Sequence, residues 1–281
     1  EWIPEEGAET EYTVLRLVKH YEEEEDYIPL MTFVETCISI LLTDTDAVVR
    51  TICPLKIAKS TEPGFSFGSL MINATTNGDT MYTLMSRNEN YVDDAWCFGV
   101  FLLILEQLKR LQRDHKFMHR DLKADNIVLE DDPDRTTIEV EGKVCDVLPV
   151  KVKFIDFGFT EFTLDGGERI GCDPEHFLVR RPQRFNDSVD VVYFAFTTLE
   201  DSGSRFVRQC PKFVAMLSDI VDPLMSKIRR REPKYNRLSS GTRNEVFLST
   251  VFDETKTGTW SPAKTMRLTK DKYFKKGFSS K

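Results

Sequence analysis

Two short stretches hold the side chains best suited to chemistry. One is His119-Arg120-Asp121-Leu122-Lys123-Ala124-Asp125-Asn126, and the other, which starts 30 residues after Asn126, is Asp156-Phe157-Gly158. Carboxylate and amide oxygens are the donors a hard divalent cation takes. Lys and Arg meet anions, and a carboxylate placed beside them can accept a proton. The apolar residues just after Asn126 and just before Asp156 are strand-like. That places both oxygen donors at strand ends, facing one cleft.

The two stretches resemble the signature of the eukaryotic-type Ser/Thr protein kinases, in a divergent form closer to kinases of large DNA viruses than to cellular signalling kinases. The first matches the family's catalytic loop, His-Arg-Asp with Asn five residues after the Asp, and Asp156-Phe157-Gly158 matches its metal-binding motif. A lone Asp-Phe-Gly has little specificity; the two motifs in order, each beside a strand, have much. Phosphoryl transfer needs positioning and charge neutralisation more than covalent chemistry. The resemblance therefore implies that Asp121 orients the attacking hydroxyl and takes its proton, that Arg120 accompanies it, and that Lys123 offsets charge on the γ-phosphate. Asn126 and Asp156 would hold Mg²⁺ for bound ATP. Lys123, two residues after Asp121, is the Ser/Thr pattern.

The likeness extends in both directions, over roughly residues 12–250. Leu17-Val18-Lys19 sits where the family has its third-strand lysine, so Lys19 would hold the α- and β-phosphates, with Glu35 as its ion-pair partner. Asp173-Pro174-Glu175 resembles the end of the activation segment. Asp190 opens a segment like the central buried helix and would brace the catalytic loop by accepting backbone hydrogen bonds. Glu232-Pro-Lys-Tyr-Asn-Arg237 resembles a late motif whose Arg237 would form a buried pair with Glu175. Departures accompany these matches. No Gly-x-Gly-x-x-Gly precedes Lys19, so that loop lies upstream of Glu1 or is replaced. Glu168 and Gly171 stand where a Thr and an aromatic are usual. Thr160 and Thr163 are phosphorylation candidates, whereas Asp165 and Glu168 offer a fixed acid to pair with Arg120 and make activation independent of phosphate.

The elements that must position these residues follow from periodicity. Tyr12–His20, Val48–Ile57 and Phe65–Ile72 read as strands. Residues 30–42 place apolar side chains at helical steps. Asn77-Gly78 is a hairpin signal, with Met81–Met85 as the returning strand. Val92–Leu111 reads as a long helix with Asp93 and Asp94 in its first turn and basic residues at its end. Residues 126–129 and 150–155 read as strands. The acidic stretch 130–148 between them reads as an inserted hairpin, which accounts for the unusual distance between the two motifs. Val189–Leu199 and Phe213–Arg230 read as helices, and residues 255–281 as a segment that wraps the surface or frays.

The expected fold class is α+β: a two-lobed, protein-kinase-like fold with a small β-rich N-lobe and a mainly helical C-lobe. The N-lobe would be 1–87, with a hinge around 84–90, the C-lobe 88–254, and a basic tail 255–281. The length of 281 residues suits two lobes. At 41% apolar and 30% charged residues, the composition excludes collagen-like and wholly disordered chains. No apolar run approaches the length of a membrane span. The net charge of −8 is uneven, since residues 227–281 hold 15 basic and 5 acidic side chains. A tail of that charge could dock on an acidic partner, and a nucleic acid partner stays open. Cys37, Cys53, Cys97, Cys145, Cys172 and Cys210 show no Cys-x-x-Cys, which argues against a zinc site. The default compartment is the cytoplasm or another reducing space, or a virion given the viral likeness. The expected function is transfer of the ATP γ-phosphate to a protein substrate. The alternative is a catalytically weak kinase fold acting as a scaffold or structural subunit. A small-molecule kinase of related fold is a third, weaker reading.

Overall fold

The computed structural model describes residues 13–21, 35–43, 45–49, 51–57, 65–74, 78–87, 92–134, 136–140, 142–164, 167–171 and 185–273. It is a mixed α/β chain with small antiparallel sheets and a mostly helical remainder. Strands β1 (Thr13–Tyr21), β2 (Thr51–Ile57) and β3 (Phe65–Ala74) form one antiparallel sheet in the order β1-β3-β2. Lys19 lies on β1 opposite Gly68. Residues 35–41 are helical (α1), with Ile38 and Leu42 fully buried. After this helix, Ala47 accepts the Phe154 N–H at 2.8 Å, and Val48 bridges to Phe154 in parallel fashion.

The expected returning strand at Met81–Met85 is instead helix α2 (Met81–Ser86). Only Asp79–Thr80 is strand (β4), paired with β5 (Ile127–Asp131). Tyr82 and Thr83 favour strands on propensity, but Thr80 acts as an N-cap, accepting from the Thr83 N–H at 3.2 Å, and starts a helix there. Helix α2 packs on β5 and on the 3₁₀ turn Ala124–Asn126. Gly78 has another reason to be glycine than the positive φ of a hairpin turn. It is not among the positive-φ glycines, and a Cβ on it would stand 2.0 Å from the Leu129 carbonyl oxygen.

Helix α3 (Asp94–His115) begins where the Asp93 carboxylate accepts the Trp96 N–H at 2.9 Å and ends at left-handed Lys116. It is buried from Trp96 to Leu105, on more than one face, as a central helix must be. Strand β5 pairs antiparallel with β8 (Val150–Phe154). The inserted hairpin is present as β6 (Thr137–Val140) and β7 (Lys143–Asp146). Strands β9 (Glu161–Thr163) and β10 (Arg169–Gly171) pair with each other.

Helices α4 (Val189–Asp201), α5 (Ser204–Gln209), α6 (Pro211–Arg231) and α7 (Ser240–Glu254) complete the core with α3. Aromatic contacts join them. Phe101 stacks on Phe194 at 5.5 Å and Phe196 on Phe247 at 3.8 Å, while Phe213 meets Phe98 edge-on at 5.5 Å.

The C-terminal segment does not fray over its described part. Residues Pro262–Leu268 form α8, which packs on α3 and buries Thr265 and Met266. The strand of chain before α8 is tied to the turn before α4: Asn186 Nδ2 donates to Thr255 O at 2.8 Å, and Trp260 N donates to Ser188 Oγ at 3.0 Å. Part of the basic surplus is neutralised within the fold. Lys227 and Arg231 both pair with Glu254, and Arg243 pairs with Glu200 at 3.1 Å. Arg237, expected in a buried pair, is exposed on a 3₁₀ turn, and Glu175 lies outside the described residues. Cys37, Cys97, Cys145 and Cys210 are free thiols. No helix among the described residues is long and apolar enough to cross a membrane.

Gly78→Ala should lower stability by about 1–3 kcal/mol, the usual range for forcing a methyl into a packed site. Thermal unfolding checks this, and an unchanged melting temperature would mean that β4 can move off β5 at no expense.

Candidate active site

The candidate site forms where the loop 117–126 meets the end of β8. Ile127 lies opposite Phe154, and the Ile155 N–H donates to Asn126 O at 3.1 Å. Asn126 and Asp156 therefore emerge from the same end of the β5–β8 pair, as expected for two oxygen donors at strand ends. The Asn126 amide nitrogen donates to Asp121 O at 2.8 Å and to Asp121 Oδ2 at 3.1 Å. That commitment leaves its oxygen as the end suited to a cation. No hydrogen bond or ion pair to another described residue holds the Asp156 carboxylate.

Lys123 Nζ donates to Asp121 Oδ2 at 2.8 Å. Burial pulls the Lys123 ammonium down, but the bond to Asp121 and the charges of Asp121, Asp156 and Asp125 outweigh it and set it above its ordinary value. It stays charged throughout the neutral range. Among the expected site residues, Arg120, Asp121, Lys123, Asn126 and Asp156 thus converge. Glu35 is buried on α1. The side chain of Lys19, and hence its expected ion pair with Glu35, lies outside the described residues, as does Asp173-Pro174-Glu175.

Besides Lys116 at the end of α3, two backbone positions in the site itself are left-handed. Arg120 and Asp156 both have φ near 65°, a conformation that costs a non-glycine residue about 1–3 kcal/mol. The loop is held against this strain from behind. Asp190, fully buried in the first turn of α4, accepts the His119 N–H at 2.9 Å and the Arg120 N–H at 2.8 Å. Burial pushes the Asp190 carboxyl above its ordinary range, against these two N–H groups and the nearby positive charge, which pull it down. His119 Nε2 lies 3.0 Å from Ile155 O, and Phe157 packs on the His119 ring at 5.5 Å. The loop, the Asp-Phe-Gly segment and α4 are therefore one packed unit.

The sequence reading missed two residues of this unit, Glu161 and Tyr193, and gave a third, Thr160, a different role. Glu161 on β9 pairs through one carboxylate oxygen with Arg120 and through the other with Arg169 on β10. Its backbone exchanges both hydrogen bonds with Met118, at 2.9 and 2.8 Å. The acid paired with Arg120 is thus Glu161, where Asp165 or Glu168 was expected. Glu168 is exposed, and Asp165 lies outside the described residues. Thr160, expected as a phosphorylation candidate, is fully buried, and its hydroxyl donates to His119 O at 3.4 Å. The second missed residue is Tyr193 on α4, whose phenol donates to Asp121 Oδ1 at 3.3 Å. Burial, and then the neighbouring Asp121 charge, push this phenol far above its ordinary pKa. An acid in a short strand just after the glycine was the available signal for Glu161. For Tyr193 there was none, because a tyrosine in an apolar helix reads as core.

No family model matches the chain, and no curated protein matches it. Among solved structures it is similar to the yeast RNA Pol II CTD kinase CTDK-1 complex. That likeness is 16% in sequence identity, covers 54% of this chain and 40% of that one, and has a TM-score of 0.34. A likeness so partial leaves the chemistry to this chain's own geometry.

Glu161→Ala should cost about 3–5 kcal/mol, since it takes the carboxylate from the buried Arg120 guanidinium. Arg169→Ala should cost under about 1 kcal/mol, because Arg169 is half exposed. Comparable losses from the two variants in thermal unfolding would mean that the Arg120 pair is not the one that holds the loop.

Proposed function

We propose that the chain is an ATP- and Mg²⁺-dependent protein kinase that transfers the γ-phosphate to Ser or Thr hydroxyls of a protein substrate. The observation that carries this reading is the Asp121 carboxylate, held by Lys123 and Asn126 at the strand end from which Asp156 also emerges. On this reading Asp121 orients the substrate hydroxyl and accepts its proton as the oxygen attacks phosphorus. The Lys123 ammonium has three donors. One is used on Asp121, and the others would meet the charge that builds on the transferring group.

The donor chemistry fits Mg²⁺. Asn126 and Asp156 supply oxygens from the same end of the β5–β8 pair. Two protein donors, with phosphate oxygens and water completing the shell, are how Mg²⁺ is commonly held. When bound, it would neutralise phosphate charge. Asn126 and Asp156 would hold it, with Lys19 and Glu35 completing the nucleotide contacts from the N-terminal side.

A two-lobed arrangement belongs to the same proposal, with the expected N-lobe of 1–87 shortened at its C-terminal end. Because α2 packs on β5 and on the 3₁₀ turn, we place the boundary between lobes upstream of Gly78 rather than at 84–90. Glu161 occupies Arg120 without any phosphate, so we further propose that activity does not await phosphorylation of the segment after Asp156.

Asp156→Asn should abolish Mg²⁺-dependent ATP turnover with the fold kept, as circular dichroism and a γ-labelled ATP assay would show. Asp121→Asn should lower kcat by about 10²–10⁴-fold with little change in ATP affinity, because it acts on the hydroxyl and not on the nucleotide. Wild-type turnover in Asp156→Asn would sink the metal assignment, and parallel losses of kcat and affinity in Asp121→Asn would make Asp121 a binding residue. A wild-type chain that binds no Mg²⁺-ATP would favour the scaffold reading. Treatment with a broad-specificity phosphatase should leave turnover unchanged. A loss reversed by rephosphorylation would show that Glu161 does not replace a phosphate.

A further inference from the structure

We infer that Tyr193 is a positioning residue for the base, its phenol O–H fixing the rotation of the Asp121 carboxylate. This rests on the reading of Asp121 just given and adds to it a residue outside the two motifs.

The terminal torsion of an aspartate is broad, so one anchored oxygen does not define where the other points. Lys123 and Asn126 both bind Oδ2. Among the described residues, the donor that reaches Oδ1 is Tyr193. With both oxygens held, the plane of the carboxylate is set before a substrate arrives.

The origin of the donor matters as much as the bond. Tyr193 is 3% exposed and sits three residues after Asp190 on α4. Residues at that spacing share a helix face. One face of one buried helix therefore holds the backbone of the loop through Asp190 and the carboxylate of the loop through Tyr193. The ring is fixed in turn beside Phe196, with centroids 6.4 Å apart. Such a phenol stays a donor across the neutral range. The 3.3 Å separation is long for an O–H···O bond, as catalytic hydrogen bonds commonly are before substrate is bound.

Tyr193→Phe tests this, because it removes the O–H and keeps the packed ring. The full chain is assayed with Mg²⁺-ATP and casein as the acceptor protein, and circular dichroism confirms the fold. The expected result is a kcat lower by about tenfold or more, the effect of losing a hydrogen bond to a charged group, with the KM for ATP unchanged. A purely structural role would not split the two constants in this way. In an Asp121→Asn background the same change should have no further effect, since the two residues act as a pair. An inactive Asp121→Asn together with wild-type kcat in Tyr193→Phe overturns the role of Tyr193 and leaves the base standing. Full and equal losses from Tyr193→Phe in both backgrounds also overturn it. Wild-type turnover by Asp121→Asn overturns the reading of the base, and this inference with it.

Discussion

The candidate site hangs on one buried carboxylate. Asp190 has no exposure and accepts the N–H groups of His119 and Arg120, two consecutive donors that secondary structure cannot satisfy. An unpaired buried N–H is costly, so this loop cannot sit where it does unless an acceptor rises from the helix beneath it. The bond also explains how Arg120 tolerates its left-handed backbone. Once 119 and 120 are fixed, the backbone of Asp121 follows, and its carboxylate is left for Lys123, Asn126 and Tyr193 to orient. The packing of α4 against α6 and α7 is therefore part of the site's machinery. Phe194 and Phe196 stack on Phe101 and Phe247 on either side of the helix and hold the level of Asp190.

The second constraint is electrostatic and runs in another direction. Glu161 closes the loop from the β9 side, using its backbone on Met118 and its carboxylate on Arg120. A buried ion pair of this kind adds little net stability over an apolar pair, but it is expensive to break on one side only. Its value lies in register. Loop and strand cannot slide past each other without stranding a charge, so the chain on either side of Asp156-Phe157-Gly158 is held at fixed distance from Asp121.

Much of this was legible in the sequence where the chemistry is local. Asp121, Lys123 and Asn126 lie within six residues and hydrogen-bond to one another across a 3₁₀ turn at Ala124–Asn126, so the likeness of that short stretch to the kinase catalytic loop was enough to group them. The strands β5 and β8 followed from their apolar runs, and the inserted hairpin from its turn residues. What failed was of two kinds. At Met81–Met85 the strand propensity of Tyr82 and Thr83 was outweighed by a cap at Thr80, a single hydrogen bond that propensity does not see. The other failures are long-range. Glu161 reaches Arg120 across 41 residues and Tyr193 reaches Asp121 across 72, and no periodicity announces such pairs. Arg237 looked like a buried partner on motif likeness, whereas its exposure follows from a 3₁₀ turn that buries Tyr235 instead. Of the two expectations for residues 255–281, wrapping or fraying, the described part follows the first: α8 packs on α3 and buries Pro262, Thr265 and Met266.

The charge around Lys123 carries the argument one step further. Asp121, Asp125 and Asp156 all raise its affinity for a proton, and Asp201 feels it in return. Four carboxylates thus act electrostatically on one ammonium, with Asp121 in direct contact, and the Arg120 guanidinium is already committed to Glu161. Left as it stands, that neighbourhood repels a polyphosphate. Two things would reverse its sign: a divalent cation on Asn126 and Asp156, and a further lysine brought in from β1. The same acid-rich surroundings that make the proposed site unfit for a bare nucleotide make it fit for one that arrives with its metal, and on the proposed reading metal and nucleotide should bind as a unit rather than in sequence.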